Sequence, residues 1–248
     1  MGVQRFQPGV FDMNGPGPQQ FICRQFKNGA WRSIEDDISP EIRVRIIRLE
    51  EPGAELWAYP HDLEALALGH AANEWARPGM RPVIVGREAN TFHVELVDVP
   101  RKELGVPTMP VFNGAEVLSA MRTFMAYAGL WDGTGCFHRA GAYSPEEGIF
   151  VAMAEDIGRH NCLDRLTGMA LQHNFDLGTH ILFVTARMTA SLLAKARQCG
   201  FAVVISRSAV TTASVEAAMT NGVTLIGFCR DTENRFTVFN DSLGAISS

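Results

Sequence analysis

The chain has 248 residues, of which 46% are hydrophobic, and its formal net charge is −5. This length allows one large domain or two lobes with a buried core, and the acidic balance argues against nonspecific nucleic-acid binding. No apolar run is long enough to cross a membrane, and residues 1–20 lack the apolar core of a signal peptide. Five widely spaced cysteines without a C-x-x-C pair are typical of reduced thiols, so we expect a cytoplasmic protein.

The first part of the chain predicts a flexible arm over residues 1–38, followed by a small α+β lobe and its linker over residues 39–112. Residues 42–49 alternate apolar and basic side chains, as in an amphipathic strand, and Ile47 breaks the alternation as a β-bulge would. The same periodicities predict a strand at 55–59, a helix capped by Asp62, and strands at 82–85 and 92–97. Three prolines over 100–110 indicate a loop or linker.

Residues 113–248 predict a second lobe in which strands and helices alternate. Asn113 and Glu116 form a capping box at the start of its first helix. The remaining predicted elements are a hairpin (136–143 and 148–154), helices at 161–172, 190–198 and 212–220, and strands at 181–185, 201–206, 223–228 and 235–240. Such alternation implies parallel strands with right-handed crossovers, and therefore an α/β fold.

The most informative segment is Glu155-Asp156-Ile157-Gly158-Arg159-His160-Asn161, directly after the apolar run 149–154. It lies where a strand turns into a helix, and such turns present side chains and free backbone N–H groups at one edge of a sheet. The sequence therefore predicts a functional turn. The alternative interpretation is an N-cap, Asp156 or Asn161, together with a structural ion pair.

An arginine follows each of four predicted strands, and we call this set the arginine rim. Its members are Arg159, Arg187, Arg207 and Arg230. If the strands are parallel, all four lie at the carboxyl edge of the sheet, where open α/β sheets bind ligands. Guanidinium groups and helix N-termini both favour phosphate, so we predict phosphate binding there. The alternative is a set of solvated strand ends.

Two motifs carry a family resemblance: T-G-C-x-H-x-A at residues 134–140, and E-D-I-G-R-H-N-x-L-D-x-L from Glu155 onward. They resemble the FdhD/NarQ family of formate dehydrogenase accessory proteins, and the likeness covers roughly residues 35–246. It implies a cytidine-deaminase-like, three-layer second lobe in a cytoplasmic homodimer. It also implies binding of a molybdenum bis-molybdopterin guanine dinucleotide cofactor, with GDP as an analogue, and sulfur delivery to that cofactor before its insertion into formate dehydrogenase.

The resemblance also implies which residues bind the cofactor. They are Glu155, Asp156, Arg159, His160, Arg187, Ser206, Arg207, Ser208, Phe228, Cys229, Arg230, Asp231, Asn234, Arg235 and Phe236. Residues 228–236 match the family segment expected to hold the dinucleotide end, although this version is longer and more acidic. Asp231 and Glu233 either accept guanine N–H groups or are solvated, and the sequence leaves both possibilities open.

The chain departs from the family at the sulfur-carrying cysteines, which the family places in a C-G-x-C-G loop. The corresponding segment 101–110 contains no cysteine. Cys136 is the substitute candidate, with His138 predicted on the same face of a strand, because a neighbouring His or Arg favours the reactive thiolate. The alternative is an inert, buried Cys136. The cysteines at 162, 199 and 229 lie in helix or strand patterns and are predicted to be core residues.

Three interpretations of function remain. The first is a sulfurtransferase that uses Cys136, with a cysteine desulfurase and the formate dehydrogenase catalytic subunit as partners. The second is a non-catalytic cofactor-binding chaperone that has lost sulfur transfer. The third, a zinc deaminase, requires H-x-E and P-C-x-x-C motifs that the chain lacks, and Cys136, His138 and His160 match no standard zinc spacing. No metal site is predicted.

Overall fold

The computed structural model describes residues 15–49, 51–100, 111–130 and 134–247. Its first element is a hairpin of β1 (Gln19–Lys27) and β2 (Ala30–Ile38), which pair antiparallel over their whole length. The turn residues Asn28 and Gly29 have φ of 54° and 79°, the left-handed conformations that an Asn-Gly hairpin turn requires. Residues 19–38, predicted as part of a flexible arm, therefore form a paired hairpin with an Asn-Gly turn. Residues 1–14 lie outside the described residues.

A four-stranded sheet follows, covered on one face by a helix. Its strands are β3 (Ile42–Arg48), β4 (Glu51–Ala58), β5 (Met80–Glu88) and β6 (Thr91–Asp98), in the order β4-β3-β6-β5, and the helix is α1 (Leu63–Glu74). Val44, Phe92 and Leu66 are fully buried between sheet and helix. The predicted bulge is confirmed by a register shift between Ile46 and Arg48. The predicted cap is also confirmed, since Asp62 accepts a hydrogen bond from the N–H of Ala65.

The second half of the chain forms a six-stranded mixed sheet. Its elements are α2 (Gly114–Ala126), β7 (His138–Ser144), β8 (Ile149–Asp156), α3 (Arg159–His173), β9 (Ile181–Val184), α4 (Ala190–Gln198), β10 (Val203–Ser206), α5 (Thr212–Asn221), β11 (Thr224–Arg230) and β12 (Arg235–Asn240). Short 3-10 turns lie at Leu177–Thr179 and Asp231–Glu233. The strand order is β12-β11-β10-β9-β7-β8.

Helices cover both faces of this sheet. Helices α3, α4 and α5 pack on one face around Leu163, Leu192 and Ala218, and α2 packs on the other against Phe150 and Phe183. The predicted α/β class and three-layer arrangement are therefore confirmed. The Asn113 capping box at the start of α2 is also present.

Strand directions define one functional edge. Strands β9, β10 and β11 are parallel, and β7 is antiparallel to both of its neighbours, β8 and β9. Strand β8 therefore runs in the same direction as β9, β10 and β11. The ends of these four strands and the beginning of β7 all meet at one edge, which we call the carboxyl edge.

The helix that begins at this edge, α3, packs tightly against α1. A Cβ atom built on Gly69 of α1 would lie 1.7 Å from the carbonyl oxygen of Asp164, and one on Gly168 would lie 1.9 Å from that of Ala65. The backbones touch because neither position carries a side chain. This contact fixes α3, and with it the turn at its start, relative to the four-stranded sheet. None of the helices in the described part of the chain has the length and apolar character needed to cross a membrane.

Candidate functional site

The carboxyl edge brings together the four members of the arginine rim. Arg159 begins the helix after β8, Arg187 and Arg207 follow β9 and β10, and Arg230 ends β11. His138 lies at the same edge because it begins the antiparallel β7 and is paired with Asp156, the last residue of β8. The four arginines therefore lie at one sheet edge, as predicted, and the phosphate binding predicted for them stays a prediction.

His138 is the titratable group most directly affected by the rim. Burial lowers its pKa below the ordinary value of 6.5, and the positive charges of Arg159 and Arg187 lower it further. The strand directions place all three residues at the same sheet edge. A site in which cations destabilise one another gains stability when an anion binds between them.

Three buried side-chain atoms at this edge have no hydrogen-bond partner among the described residues. They are Nδ1 of His138, Nε of Arg207 and Oδ1 of Asp231. Buried polar atoms are nearly always paired, because leaving one unpaired costs about 1–3 kcal/mol. The Arg207 donor suits a phosphate oxygen, and the Asp231 acceptor suits an N–H group. The edge therefore has the polar atoms that an anionic ligand with an N–H-bearing base would satisfy.

The loops after β9 and β10 are built in the same way. Each ends in a threonine N-cap, Thr189 and Thr211, and a parallel bridge joins Met188 to Val210. The fully buried Ser206 links the loops, because its hydroxyl donates to the carbonyl of Ala186 at 2.8 Å and accepts from Ser208 N–H at 3.1 Å. Ser206, predicted to bind cofactor, is thus a loop-positioning residue, whereas Ser208 is partly exposed.

We call residues 155–161, at the junction of β8 and α3, the motif turn. Its two carboxylates, Glu155 and Asp156, are both buried. Glu155 is paired with Arg139 at 2.7 Å and also accepts the N–H of Leu130 at 2.6 Å. Asp156 is fully buried and pairs with Arg165 at 2.7 Å. Neither side chain reaches the surface of the edge, so the structure favours the alternative of structural ion pairs over direct cofactor contact for Glu155 and Asp156.

The N-terminus of α3 is not capped by either predicted residue. The N-cap is Gly158, which has no capping side chain. Asp156 instead accepts from Gly158 N–H, and Asn161 donates to Asp156 at 2.9 Å and to the carbonyl of Trp57 at 2.8 Å. The expectation of an Asp156 or Asn161 cap is therefore wrong, because their side chains bind the turn and the neighbouring sheet.

Arg165 is the functional-site residue that sequence reasoning missed. Its guanidinium donates to the carbonyls of Tyr59, His61 and Asp62, as well as to Asp156. One buried cation therefore ties the motif turn to the loop after β4. The available signal was an arginine placed among the apolar residues of α3, at a position that is only 1% exposed.

His160 lies near a second set of charges. Its pKa is lowered by burial and by Arg159 and Lys195, while Asp164 and Glu74 raise it. Asp164 is one turn further along α3 and pairs with the buried Lys195 at 2.7 Å. His160 is thus influenced by this buried charge pair as well as by Arg159 of the rim, and the cofactor role predicted for it stays a prediction.

The end of β11 carries an aromatic ring beside two arginines. The guanidinium carbons of Arg230 and Arg235 each lie 5.9 Å from the ring centre of Phe228. Phe228 has φ of 49°, and its N–H donates to the carbonyl of Ser208 at 2.8 Å. A bulky residue in the left-handed region is rare and occurs preferentially at functional sites. Asn234 is also left-handed, and it is exposed.

The remaining predicted ligands near β11 divide into exposed and buried groups. Glu233 is ion-paired with Arg230 at 2.7 Å and Arg235 at 2.5 Å, and hydrogen bonds from these arginines lower its pKa. Cys229 is fully buried, and burial raises the pKa of its thiol to about 12. Phe236 packs on the α2 side of the core, beside Gly114. Direct ligand contact by Cys229 or Phe236 is therefore not supported.

Cys136 is exposed, which contradicts the alternative of an inert, buried residue. It precedes β7, which begins at His138, so the predicted shared strand face is wrong. Cys162 and Cys199 are buried as predicted, and burial raises the pKa of both thiols. Segment 101–110 lies outside the described residues. No group of three His, Cys, Asp or Glu side chains suited to a metal occurs among the residues that the structure describes.

Fold and edge together define a three-layer α/β protein with a basic, anion-favouring carboxyl edge. The sequence model of the FdhD/NarQ family matches residues 77–243, and the chain belongs to this family. It is 26% identical over 249 residues to "Sulfur carrier protein FdhD" of Geobacillus kaustophilus, covering 88% of this chain and 94% of that protein.

Two further comparisons concern a second relative and a solved structure. The chain is 32% identical over 124 residues to "Protein FdhD" of Methanocaldococcus jannaschii, covering 50% of this chain and 53% of that one. The crystal structure of a putative formate dehydrogenase accessory protein from Desulfotalea psychrophila superposes with a TM-score of 0.76 at 21% identity. That match covers 91% of this chain and 97% of the other, and it supports the fold.

Proposed function

We propose that this protein binds the guanine dinucleotide part of a molybdenum bis-molybdopterin guanine dinucleotide at the carboxyl edge, and supports its sulfuration and insertion into formate dehydrogenase. Membership of the FdhD/NarQ family supports the proposal, as do the names of the similar proteins, a sulfur carrier and a formate dehydrogenase accessory protein. The observation that carries it is the coincidence of the arginine rim with three unpartnered buried atoms.

In this proposal the cofactor is cargo, and the chain supplies its binding groups. Arg159, Arg187 and Arg207 bind phosphate oxygens, because a guanidinium group can donate two parallel hydrogen bonds to an oxyanion. Phe228 offers a ring face for the base, and Asp231 accepts from a base N–H group. The position of Phe228 beside two arginines supports this division, since phosphate and base then bind at neighbouring points of one edge.

The ligand class is tested by equilibrium binding to the wild-type protein. We expect GDP to bind more tightly than guanosine, because only GDP has phosphate oxygens that accept hydrogen bonds from the arginine rim. We also expect it to bind more tightly than ADP, because adenine lacks the N1–H and N2–H groups from which Asp231 would accept hydrogen bonds. Isothermal titration calorimetry measures all three affinities. Equal affinity for GDP and guanosine would exclude phosphate recognition, and equal affinity for GDP and ADP would exclude recognition of guanine.

We further propose Cys136 as the sulfur acceptor. In the transfer step, the Cys136 thiolate attacks the outer sulfur of a cysteine desulfurase persulfide. A new S–S bond forms at Cys136, the S–S bond of the desulfurase breaks, and the desulfurase thiolate leaves. No external oxidant is needed. The exposure of Cys136 and its closeness in sequence to His138 support this role.

The competing proposal is a non-catalytic cofactor-binding chaperone. The observation that favours it is the absence of cysteine from residues 101–110. The two are separated by incubating the protein with a cysteine desulfurase and free cysteine, then measuring intact mass with and without reductant. A reducible gain of sulfur that Cys136→Ala abolishes and Cys23→Ala retains identifies the carrier. If the wild type gains no sulfur, the result supports the non-catalytic chaperone.

The proposed setting is the cytoplasm, with the formate dehydrogenase catalytic subunit and a cysteine desulfurase as partners. We also propose a homodimer. Co-purification of each candidate partner with the tagged protein, before and after addition of GDP, tests the partner assignments. Failure of both partners to bind would contradict them without bearing on nucleotide affinity.

A further inference from the structure

The β1–β2 hairpin exposes large apolar side chains on both of its faces. Exposed fractions are 50% for Phe21, 81% for Ile22, 58% for Phe26 and 62% for Trp31. Within the described residues, no third strand pairs with it. An isolated two-stranded hairpin is marginally stable in water, and an unpaired strand edge is a template for another chain. The hairpin therefore has the properties of an association surface.

The charges of the hairpin are segregated along its length. Three basic residues lie in the half nearest the turn, and three acidic residues lie in the half nearest the body: Arg24, Lys27 and Arg32, against Glu35, Asp36 and Asp37. The pair Cys23 and Ile34 separates the two halves. None of the three carboxylates belongs to an ion pair with another described residue. Each hairpin thus has a basic end and an acidic end.

This polarity makes the hairpin complementary to a copy of itself. Two copies related by a two-fold axis place the basic end of each against the acidic end of the other. If β2 pairs antiparallel with β2 of the second copy and Ile34 lies on the axis, Arg32 stands opposite Asp36 of the partner subunit. The symmetry repeats this contact. Opposite charges directly across an antiparallel pair are stabilising, and like charges there are destabilising.

We propose that a second copy of this chain pairs with the hairpin through β2, giving a four-stranded antiparallel sheet across a two-fold axis. The inference rests on the homodimer proposed above and names its surface. It is independent of the carboxyl edge, because no hairpin residue belongs to the arginine rim. Loss of the dimer and loss of nucleotide binding are therefore separate outcomes.

Charge reversal tests the pairing. Arg32→Asp and Asp36→Arg each put like charges opposite one another twice, so each variant is expected to weaken self-association at least about tenfold. Mixing the two variants restores complementary pairs and should give a heterodimer. The double variant carrying both substitutions should again form a homodimer. Size-exclusion chromatography with light scattering gives the mass, which for the wild type should be twice 27.2 kDa.

Controls separate this surface from others. Arg122→Asp changes an exposed residue of α2 and should leave the mass unchanged. Far-UV circular dichroism of the hairpin variants should match the wild type, because neither side chain contributes to the buried core. Dimeric single variants would overturn the proposal by placing the interface elsewhere. A monomeric wild type would also overturn it, and the hairpin would then be a binding surface for a different protein.

Discussion

Arg165 donates two hydrogen bonds to the same carboxylate oxygen of Asp156, from Nε at 2.9 Å and from Nη2 at 2.7 Å. Nη2 also donates to the carbonyl of Tyr59, which belongs to the loop after β4. Both side chains of the pair are almost completely buried. The motif turn at the carboxyl edge is therefore held by the four-stranded sheet as well as by its own strand.

Removing one partner of this pair should destabilise the protein strongly. Arg165→Met leaves the carboxylate of Asp156 buried without its counter-charge, so we expect a loss of about 3–5 kcal/mol in the free energy of unfolding. Urea unfolding followed by circular dichroism measures it. The control is Arg87→Met, which removes an exposed ion pair with Glu64 and should cost no more than about 1 kcal/mol. If Arg165→Met lowered the free energy of unfolding as little as Arg87→Met does, the Asp156 pair would not be structurally important.

The contact between α1 and α3 should not tolerate a methyl group. In Gly168→Ala the new Cβ would meet the backbone carbonyl of Ala65, which cannot move without separating the helices. We expect destabilisation of about 1–3 kcal/mol or more, measured as a lower melting temperature. Gly17→Ala is the matched control, because its Cβ would meet nothing within 4 Å. An unchanged melting temperature for Gly168→Ala would contradict the close contact.

His138 should titrate below the ordinary value of 6.5 in the free protein. Because its pKa is lower in the folded state, the unfolded chain binds more protons over this range. Stability contributed by neutral His138 is thus present above pH 6.5 and decreases as pH falls towards the lowered pKa. Binding of GDP adds negative charge beside the imidazole and should raise its pKa. Two-dimensional NMR of the imidazole, assigned with His138→Gln, measures both values. A pKa above 6.5 without ligand would contradict the site's electrostatics.

The arginine rim could be predicted from the sequence because each arginine follows a strand with clear periodicity, and strand direction then fixes its edge. Whether the side chains of Glu155 and Asp156 are buried or face a ligand could not be predicted. A motif marks residues as special, but whether they bind a ligand or a buried cation depends on Arg139 and Arg165, and Arg165 also bonds the carbonyl of Tyr59, 106 positions away.

The hairpin and Cys136 illustrate two other limits of sequence reasoning. The Asn28-Gly29 turn signal was present, but the flanking runs lack a clean alternation because both faces of the hairpin are exposed. For Cys136, the predicted strand began at residue 136, whereas β7 begins at His138. Because of this two-residue difference, Cys136 does not share a strand face with His138. The cytidine-deaminase-like character of the second lobe stays a prediction.

The most direct test of the cofactor-binding edge is GDP affinity in the double variant Arg187→Gln/Arg207→Gln, measured by isothermal titration calorimetry beside the wild type and Arg122→Gln. Both rim substitutions remove charge without removing a core side chain. We predict that the double variant binds GDP at least several-fold more weakly and that Arg122→Gln binds as the wild type does. Unchanged GDP affinity in the double variant would show that the arginine rim does not bind the nucleotide.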